Sequence, residues 1–266
     1  MVSKSSIIGS VKISNFDINE IEKISFFYLN KSVELFEDKS ILTNTNEGKW
    51  KEFIYCILAG TQFPVTKLKT IFPLLFSKYE NLFNIKSFKT KNESKRNDVA
   101  VVLKSLGYRY HTQKANTIVN SGTFFNEKFN GNIEAFLNTH SDVDLIRKKL
   151  VNEIKGVGIK IASHWLRNIG MPVCTVDVHL RRLLYNLRLS EENPEGPLKD
   201  SDFLILENIF REWSVILNVN LGILQFSIWE YTREFCAHFN CTQCSLVNKC
   251  KRGEKSKEKN KGGRLF

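Results

Sequence analysis

Apolar residues recur at helical spacing along most of the chain, and alternation of period two persists nowhere. Between Asp17 and Phe36, the residues Ile18, Ile21, Ile24, Phe27, Tyr28 and Val33 keep that spacing. A polar stretch from Lys39 to Gly48 precedes WKEFIYCILAG, which starts at Trp50 and is almost wholly apolar, as expected of a helix buried on most sides. Pro64 opens a further helix, VTKLKTIFPLLFSKY, with Pro73 inside it as a kink point. Residues 86–97 (KSFKTKNESKRN) read as a basic connection, followed by helical patterns at Asp98–Leu106, Gln113–Asn120, Asn132–Leu137 and Asp142–Ile154. Beyond the Glu, Pro and Gly loop Ser190–Asp200, two more helices fit Asp202–Leu217 and Leu221–Phe235. The fold class this predicts is all-α.

The stretch from Leu150 to Arg182 breaks the pattern in an informative way. Leu150, Ile154, Ile161 and Trp165 suit two short helices, and the turn between them is Gly156-Val157-Gly158. Glycines let backbone reach positive φ and approach a ligand closely, and backbone N–H groups at a helix start form a ready phosphate site. Lys160 follows two residues after the turn, and Asp177 seventeen residues after Lys160. A lysine is a nucleophile only when partly neutral, which its usual pKa of about 10.4 forbids at neutral pH. Burial and a helix N-terminus both disfavour the charged form, and position 160 is open to both, although a helix lysine taken alone is usually a solvent-facing one. Asp177 also suits an N-cap for VHLRRLLYNL. His164 and His179 have no nucleophile at a spacing that supports acid–base work.

Charge narrows the partner. The net charge of +11 over 266 residues favours a polyanion, and 42% hydrophobic content with twenty phenylalanines indicates a folded protein. No apolar run approaches the roughly 18 residues of a membrane span, and the N-terminus lacks a continuous apolar signal region. The expected setting is cytoplasmic and nucleoid-associated, or nuclear in a eukaryote. Cys56 and Cys174 lie in apolar contexts that suit buried free thiols. Cys236, Cys241, Cys244 and Cys250 form C-x4-C-x2-C-x5-C, and such crowding favours a metal site, either zinc or a 4Fe–4S cluster. Residues 251–266, rich in Lys, Gly and Glu, are expected to fray.

The run IKGVGIKIASHWLRNIG followed by TVDVHLRR resembles the helix–hairpin–helix and Gly/Pro–Asp signature of the endonuclease III superfamily of DNA glycosylases. GTQFPVTKLKTIF, LGYRYHTQKANTIV and FSIWEYTREFC resemble that family's lesion loop, its next loop and helix, and its last helix. The resemblance implies base-excision repair by a bifunctional glycosylase and AP lyase acting as a monomer on damaged duplex DNA. Lys160 matches the lysine that attacks the sugar, and Asp177 the catalytic aspartate. Gly156, Val157, Gly158 and Ile159 would offer N–H groups to phosphates, with Arg181 and Arg182 adding charge. Gln62, or Thr61, and the loop at Tyr108 would fill and wedge the flipped-base gap. Gln62 as a polar loop residue and Tyr108 as a core aromatic are the competing readings. Trp229 fits a core position better than a base-stacking one.

The second half of the cysteine spacing matches the family's iron–sulfur loop, which favours a structural 4Fe–4S cluster over zinc. The first gap, AHFN, is shorter than the usual six residues and lacks a basic side chain, leaving charge to Lys249, Lys251 and Arg252. GVGIKIASHWLRNIG is most similar to compact archaeal 8-oxoguanine glycosylases, which lack such a loop. The core therefore implies 8-oxoguanine as first substrate, and the tail implies oxidised pyrimidines as the alternative. A DNA-lesion-binding protein without catalysis is the rival class, disfavoured because phosphate binding alone requires neither Lys160 nor Asp177. The expected architecture is a central helical bundle (residues 45–171) and a second lobe (1–44 with 172–266), with lysine and aspartate facing a cleft.

Overall fold

Several helices begin where the sequence supplies a capping group. The computed structural model describes residues 7–8, 11–12, 19–26, 28–29, 33–34, 42–60, 63–89, 93–238 and 240–254. Thr45 Oγ1 accepts the Gly48 N–H at 3.0 Å and starts α1 (Asn46–Ala59). Pro64 precedes α2 (Val65–Ser77), which continues through Pro73, and α3 (Glu80–Phe83) follows. The next helix, α4, spans Glu93–Ser105, starting five residues before the predicted Asp98. The basic residues at its start are therefore one face of a helix and not a connection. Lys95 lies over the Phe88 ring at 4.6 Å and donates to Ser87 Oγ at 2.8 Å, while Arg96 pairs with Glu93.

Helix α5 (His111–Phe129) is more than twice the predicted length. The predicted helix ends at Asn120, but the helix runs on through Gly122, which is an approach point. A Cβ there would sit 2.4 Å from Phe88 Cγ, so the glycine lets the Phe88 ring pack against the helix. Asn132 and Asp142 cap α6 (Ile133–Leu137) and α7 (Val143–Glu153). Helix α8 (Ile159–Asn168) follows the glycine turn. Then come α9 (Val178–Asn186), α10 (Asp200–Leu217) and α11 (Leu221–Tyr231), which runs into a π-helical turn, Thr232–Ala237. Against this helical order stands one two-residue antiparallel ladder, Ile7–Ile8 with Val11–Lys12.

Backbone contacts divide the chain into two compact units, Glu37–Met171 and the combination of Met1–Phe36 with Pro172–Phe266. The first has an aromatic core of Trp50, Phe53, Phe125, Phe136 and Trp165, all fully buried or nearly so. Phe53 meets Trp165 edge to face at 4.7 Å, and each such ring contributes about 2–3 kcal/mol of burial. Both indoles are satisfied: Trp165 Nε1 donates to Lys49 O at 2.9 Å and Trp50 Nε1 to Phe83 O at 2.7 Å. In the second unit, Phe203, Phe210, Trp213, Leu224 and Ile228 are buried, and helical residues 19–26 supply Ile21 and Ile24. Glu207, at 1% exposure, is retained because it accepts the Cys174 N–H at 2.7 Å and pairs with Arg211. Cys56 and Cys174 are buried free thiols. No helix among the described residues is long and apolar enough to cross a membrane.

Candidate functional site

The hairpin is built by one backbone bond and one glycine. Helix α7 ends at Ile154, whose carbonyl accepts the Val157 N–H at 3.0 Å. Gly156 makes the turn at φ +98°, and a Cβ there would lie 2.3 Å from Thr117 Oγ1. Glycine is thus demanded twice, by conformation and by close packing. Gly158 differs. Its φ is −94° and ψ 174°, and nothing lies within 4 Å of an added Cβ. It starts α8 with no side-chain cap, so the first-turn N–H groups face outward without acceptors from their own helix. Gly158 is exposed and Ile159 half-buried, as an anion site requires. Val157 is a correction: its N–H is taken by Ile154, and its side chain is 3% exposed.

Lys160 is the second residue of α8 and its side chain is exposed, so burial does not act on it here. The buried lysine is Lys114 of α5, at 5% exposure. Three residues of α5 follow the hairpin in reverse order. Asn120 Nδ2 donates to Lys155 O at 3.0 Å, Thr117 abuts Gly156, and the charge of Lys114 acts on that of Lys160. Burial, and after it the Lys160 charge, push the Lys114 amine down to about 8. Nothing in the local sequence HTQKAN marks this lysine as buried.

Asp177 has extended backbone before α9 and uses both carboxylate oxygens. Oδ1 accepts the N–H groups of His179 at 3.0 Å and Leu180 at 3.1 Å, which makes it the helix N-cap. Oδ2 accepts the indole N–H of Trp229 at 2.8 Å. The Trp229 ring is half-buried, stacked with Phe226, edge-on to His179 and beneath the Arg233 guanidinium. Trp229 was legible as a packed aromatic, but its bond to a residue 52 positions away was not. His179 serves Asp177 through its backbone. Arg181, at 8% exposure, pins the loop carbonyls of Asn193 and Gly196, and Arg182 forks onto Glu195, so both are engaged within the fold.

Of the two lesion-contact candidates, Gln62 lies outside the described residues, as does Thr61. Tyr108 is a correction in favour of the core reading. It is 1% exposed, its ring packs on Phe63 at 4.5 Å, and its hydroxyl donates to Leu58 O at 2.6 Å.

The four clustered cysteines share one loop after α11. Burial, followed by the charges of Cys244, Cys250 and Cys241, pushes the Cys236 thiol up to about 12, so the other three sulfurs lie within electrostatic reach of Cys236. Tyr231 Oη is 3.1 Å from Cys244 Sγ, and Arg252 donates to Cys236 O at 2.8 Å. Lys249 pairs with Glu20, and Lys251 sits over Tyr185, so the basic residues of this loop also have partners within the unit. Among the described residues, no three His, Cys, Asp or Glu side chains are grouped as a single metal ion would need. A cavity of about 830 Å³ beside the loop is lined in part by Arg182, Tyr185, Cys236, Lys251 and Arg252.

The sequence model of the Ogg-HhH family, described as 8-oxoguanine DNA glycosylase, matches residues 30–219. The 8-oxoguanine DNA glycosylase/AP lyase of Methanocaldococcus jannaschii is 31% identical over 219 residues, covering 82% of this chain and 93% of that protein. The protein of the same description from Korarchaeum cryptofilum is 27% identical over 213 residues, covering 80% and 93%. Among solved structures, the M. jannaschii 8-oxoguanine glycosylase/lyase in complex with a 15mer DNA containing 8-oxoguanine matches with a TM-score of 0.63 at 28% identity, covering 82% of this chain and 97% of that one. A thermostable thymine-DNA glycosylase, 15% identical with a TM-score of 0.56, shares the fold. The family match includes Lys160 and Asp177 and ends before the four cysteines.

Proposed function

The chain belongs to the Ogg-HhH family of 8-oxoguanine DNA glycosylases, and from that premise we propose that it removes 8-oxoguanine from duplex DNA and then cleaves the strand as an AP lyase. The observation that carries the reading is the hairpin itself. An uncapped helix start, reached through a glycine at positive φ, holds outward N–H groups for a DNA phosphate and carries Lys160 one residue further on. Gly156, Gly158 and Ile159 hold the backbone, while the Lys160 amine attacks the sugar C1′. The C1′–N bond to the oxidised base breaks, and ring opening leaves an imine on Lys160. Loss of a C2′ proton then expels the 3′ phosphate by β-elimination, and water releases the lysine. Asp177, fixed by three N–H donors, stabilises positive charge that develops on the sugar.

The cysteine loop suits a resident 4Fe–4S cluster with a structural role, zinc being the alternative. Four thiols on one partly buried stretch, with Cys236 and Cys244 each within reach of the other two cysteines' charge and Cys244 beside a tyrosine hydroxyl, supply the donor set such a cluster takes. Cys236, Cys241, Cys244 and Cys250 would hold it and tie the end of the chain to α11 and its π-helical turn. Elemental analysis of purified protein tests this: iron with sulfide supports it, and a single zinc overturns it.

The function is tested by incision of one duplex panel carrying 8-oxoguanine, thymine glycol, uracil or a T·G mismatch, each with borohydride trapping. We expect cleavage and a trapped adduct on 8-oxoguanine. Lys160→Gln should abolish both, and an adduct of undiminished yield in that variant would sink the nucleophile assignment. Preferred cutting of thymine glycol would instead favour the pyrimidine reading, and binding without turnover on every duplex the non-catalytic one.

A further inference from the structure

The last residue of α11 reaches into the cysteine loop. Tyr231 is 4% exposed, its ring edge-on to Tyr28 at 6.4 Å and against Phe235 at 4.6 Å. Its hydroxyl stands 3.1 Å from Cys244 Sγ and 2.9 Å from Ser245 Oγ. Two residues earlier on the same helix, Trp229 donates to Asp177, so the last turn of α11 bonds both the loop and that carboxylate.

The loop that presents Cys244 is closed tightly. The Cys244 N–H bonds to Cys241 O at 3.2 Å and the Val247 N–H to Cys244 O at 3.1 Å. Leu246 is 2% exposed, and an added Cβ at Gly253 would lie 2.1 Å from Val247 O. Arg252 reaches back to Cys236 O, which ties the first cysteine to the segment carrying the other three. In a 4Fe–4S cluster each cysteine binds its own iron, so four sulfurs need not converge on one point as the ligands of a single ion do.

Which atom donates between Tyr231 and Cys244 follows from the chemistry of ligation. A thiol and a hydroxyl can each donate, but a cysteine that binds metal has lost its proton. Its sulfur then only accepts, and the Tyr231 hydroxyl donates to it. The tyrosine oxygen is left to accept from Ser245, and the bonds run from Ser245 to Tyr231 to Cys244, each polarising the next.

We propose that Tyr231 is a positioning residue for a metal-bound Cys244: its hydroxyl donates to the ligating thiolate, fixes that sulfur against the end of α11 and slows loss of metal from the loop. The inference rests on the reading of the four cysteines as a metal site. A thiolate leaves its metal most readily when water or a proton takes up the sulfur lone pairs. Tyr231 occupies that side of Cys244 with a buried ring and a directed O–H.

The test follows release of metal from the purified holoprotein to excess EDTA, alongside its sulfur-to-metal charge-transfer absorption, visible for iron and ultraviolet for zinc. Tyr231→Phe keeps the ring and should release metal about 10–100 times faster, the range for loss of a partner that orients a ligand. Its charge-transfer band should move to longer wavelength, because the sulfur lone pair loses a donor, and a role in packing alone would leave that band in place. Ser245→Ala, at an exposed position, should accelerate release less than Tyr231→Phe does. Tyr28→Phe tests the neighbouring ring, since the Tyr28 hydroxyl goes to Glu234, and it should match the parent in both readouts. Release from Tyr231→Phe within twofold of the parent, an unmoved band, or Tyr28→Phe as fast as Tyr231→Phe overturns the proposal. Protein with neither iron nor zinc brings down the metal reading and this inference together. Loaded protein whose Tyr231→Phe variant holds metal as the parent does brings down this inference alone.

Discussion

Gly156 and Gly158 look equivalent in sequence and should behave differently when each is replaced by alanine. At Gly156, φ is +98°, a conformation that costs an L-residue about 1–2 kcal/mol. The new methyl would also lie 2.3 Å from Thr117 Oγ1 and 3.2 Å from its Cβ and Cγ2. Relief requires Thr117 to turn away or the hairpin to lift from α5, an overpacking cost of about 1–3 kcal/mol. Turning Thr117 also breaks its bond to Gln113 O at 3.2 Å, which contributes about 1 kcal/mol. The sum is about 3–6 kcal/mol, large against the stability of a typical domain. At Gly158, φ is −94° and no atom lies within 4 Å of the methyl, so the loss should stay below about 1 kcal/mol. Binding reverses the order of interest. The Gly158 methyl would project from the exposed helix start where the phosphate is proposed to sit, so DNA affinity should fall several-fold without loss of fold. Urea denaturation of both variants, with titration of an 8-oxoguanine duplex, reads the two effects. Equal denaturation midpoints for Gly156→Ala and the parent protein would refute the packing argument.

Asp177→Asn keeps the N-cap oxygen but turns an amide N–H toward the Trp229 indole N–H, so stability should fall by about 1–2 kcal/mol while single-turnover excision falls by about a hundredfold or more; Asp177→Ala, which also loses the cap, should lose about 1 kcal/mol more in denaturation. Trp229→Phe removes the donor to Asp177 Oδ2 but keeps an aromatic ring, and excision should slow by about tenfold with KM for the duplex little changed. Lys114 gives a stability signature with a definite sign: its folded value of about 8 lies below the unfolded one of about 10.4, so the unfolded chain binds more protons between them. Stability should therefore rise by up to about 3 kcal/mol as pH increases through that window, and denaturation of Lys114→Met should show no such rise and a more stable protein at neutral pH. Duplex affinity should fall steeply with added salt, and a flat salt response would contradict a phosphate-dominated interface.

Helix existence was legible from spacing alone, because each long helix buries one apolar stripe; helix ends were legible only where the capping residue is local. Asn132 and Asp142 cap the helices they precede, and the sequence reading placed those starts within one residue. The errors share a cause. Polar residues 93–97 were read as part of a connection and the helix from Gln113 was ended at Asn120, although Lys95 and Gly122 answer to the same distant side chain, Phe88. Local chemistry cannot reveal a partner that arrives from another segment. The same limit governs the site. Lys160 and Asp177 were visible because their motif is contiguous, whereas Trp229, which donates to Asp177, comes from 52 residues away.

That pattern separates what specifies a reaction from what tunes it. Residues in the hairpin motif carry the proposed phosphate site and nucleophile, and they are set by backbone conformation within a few positions. The groups beside them come from other helices: Trp229 of α11 donates to Asp177, and Lys114 of α5 feels the charge of Lys160. Lys114 is the more telling of the two, because its burial opposes stability at neutral pH with no ion pair among the described residues to offset it. Methionine would fill the same space without that penalty. A fold that retains the lysine gives up stability on the helix that packs against the hairpin.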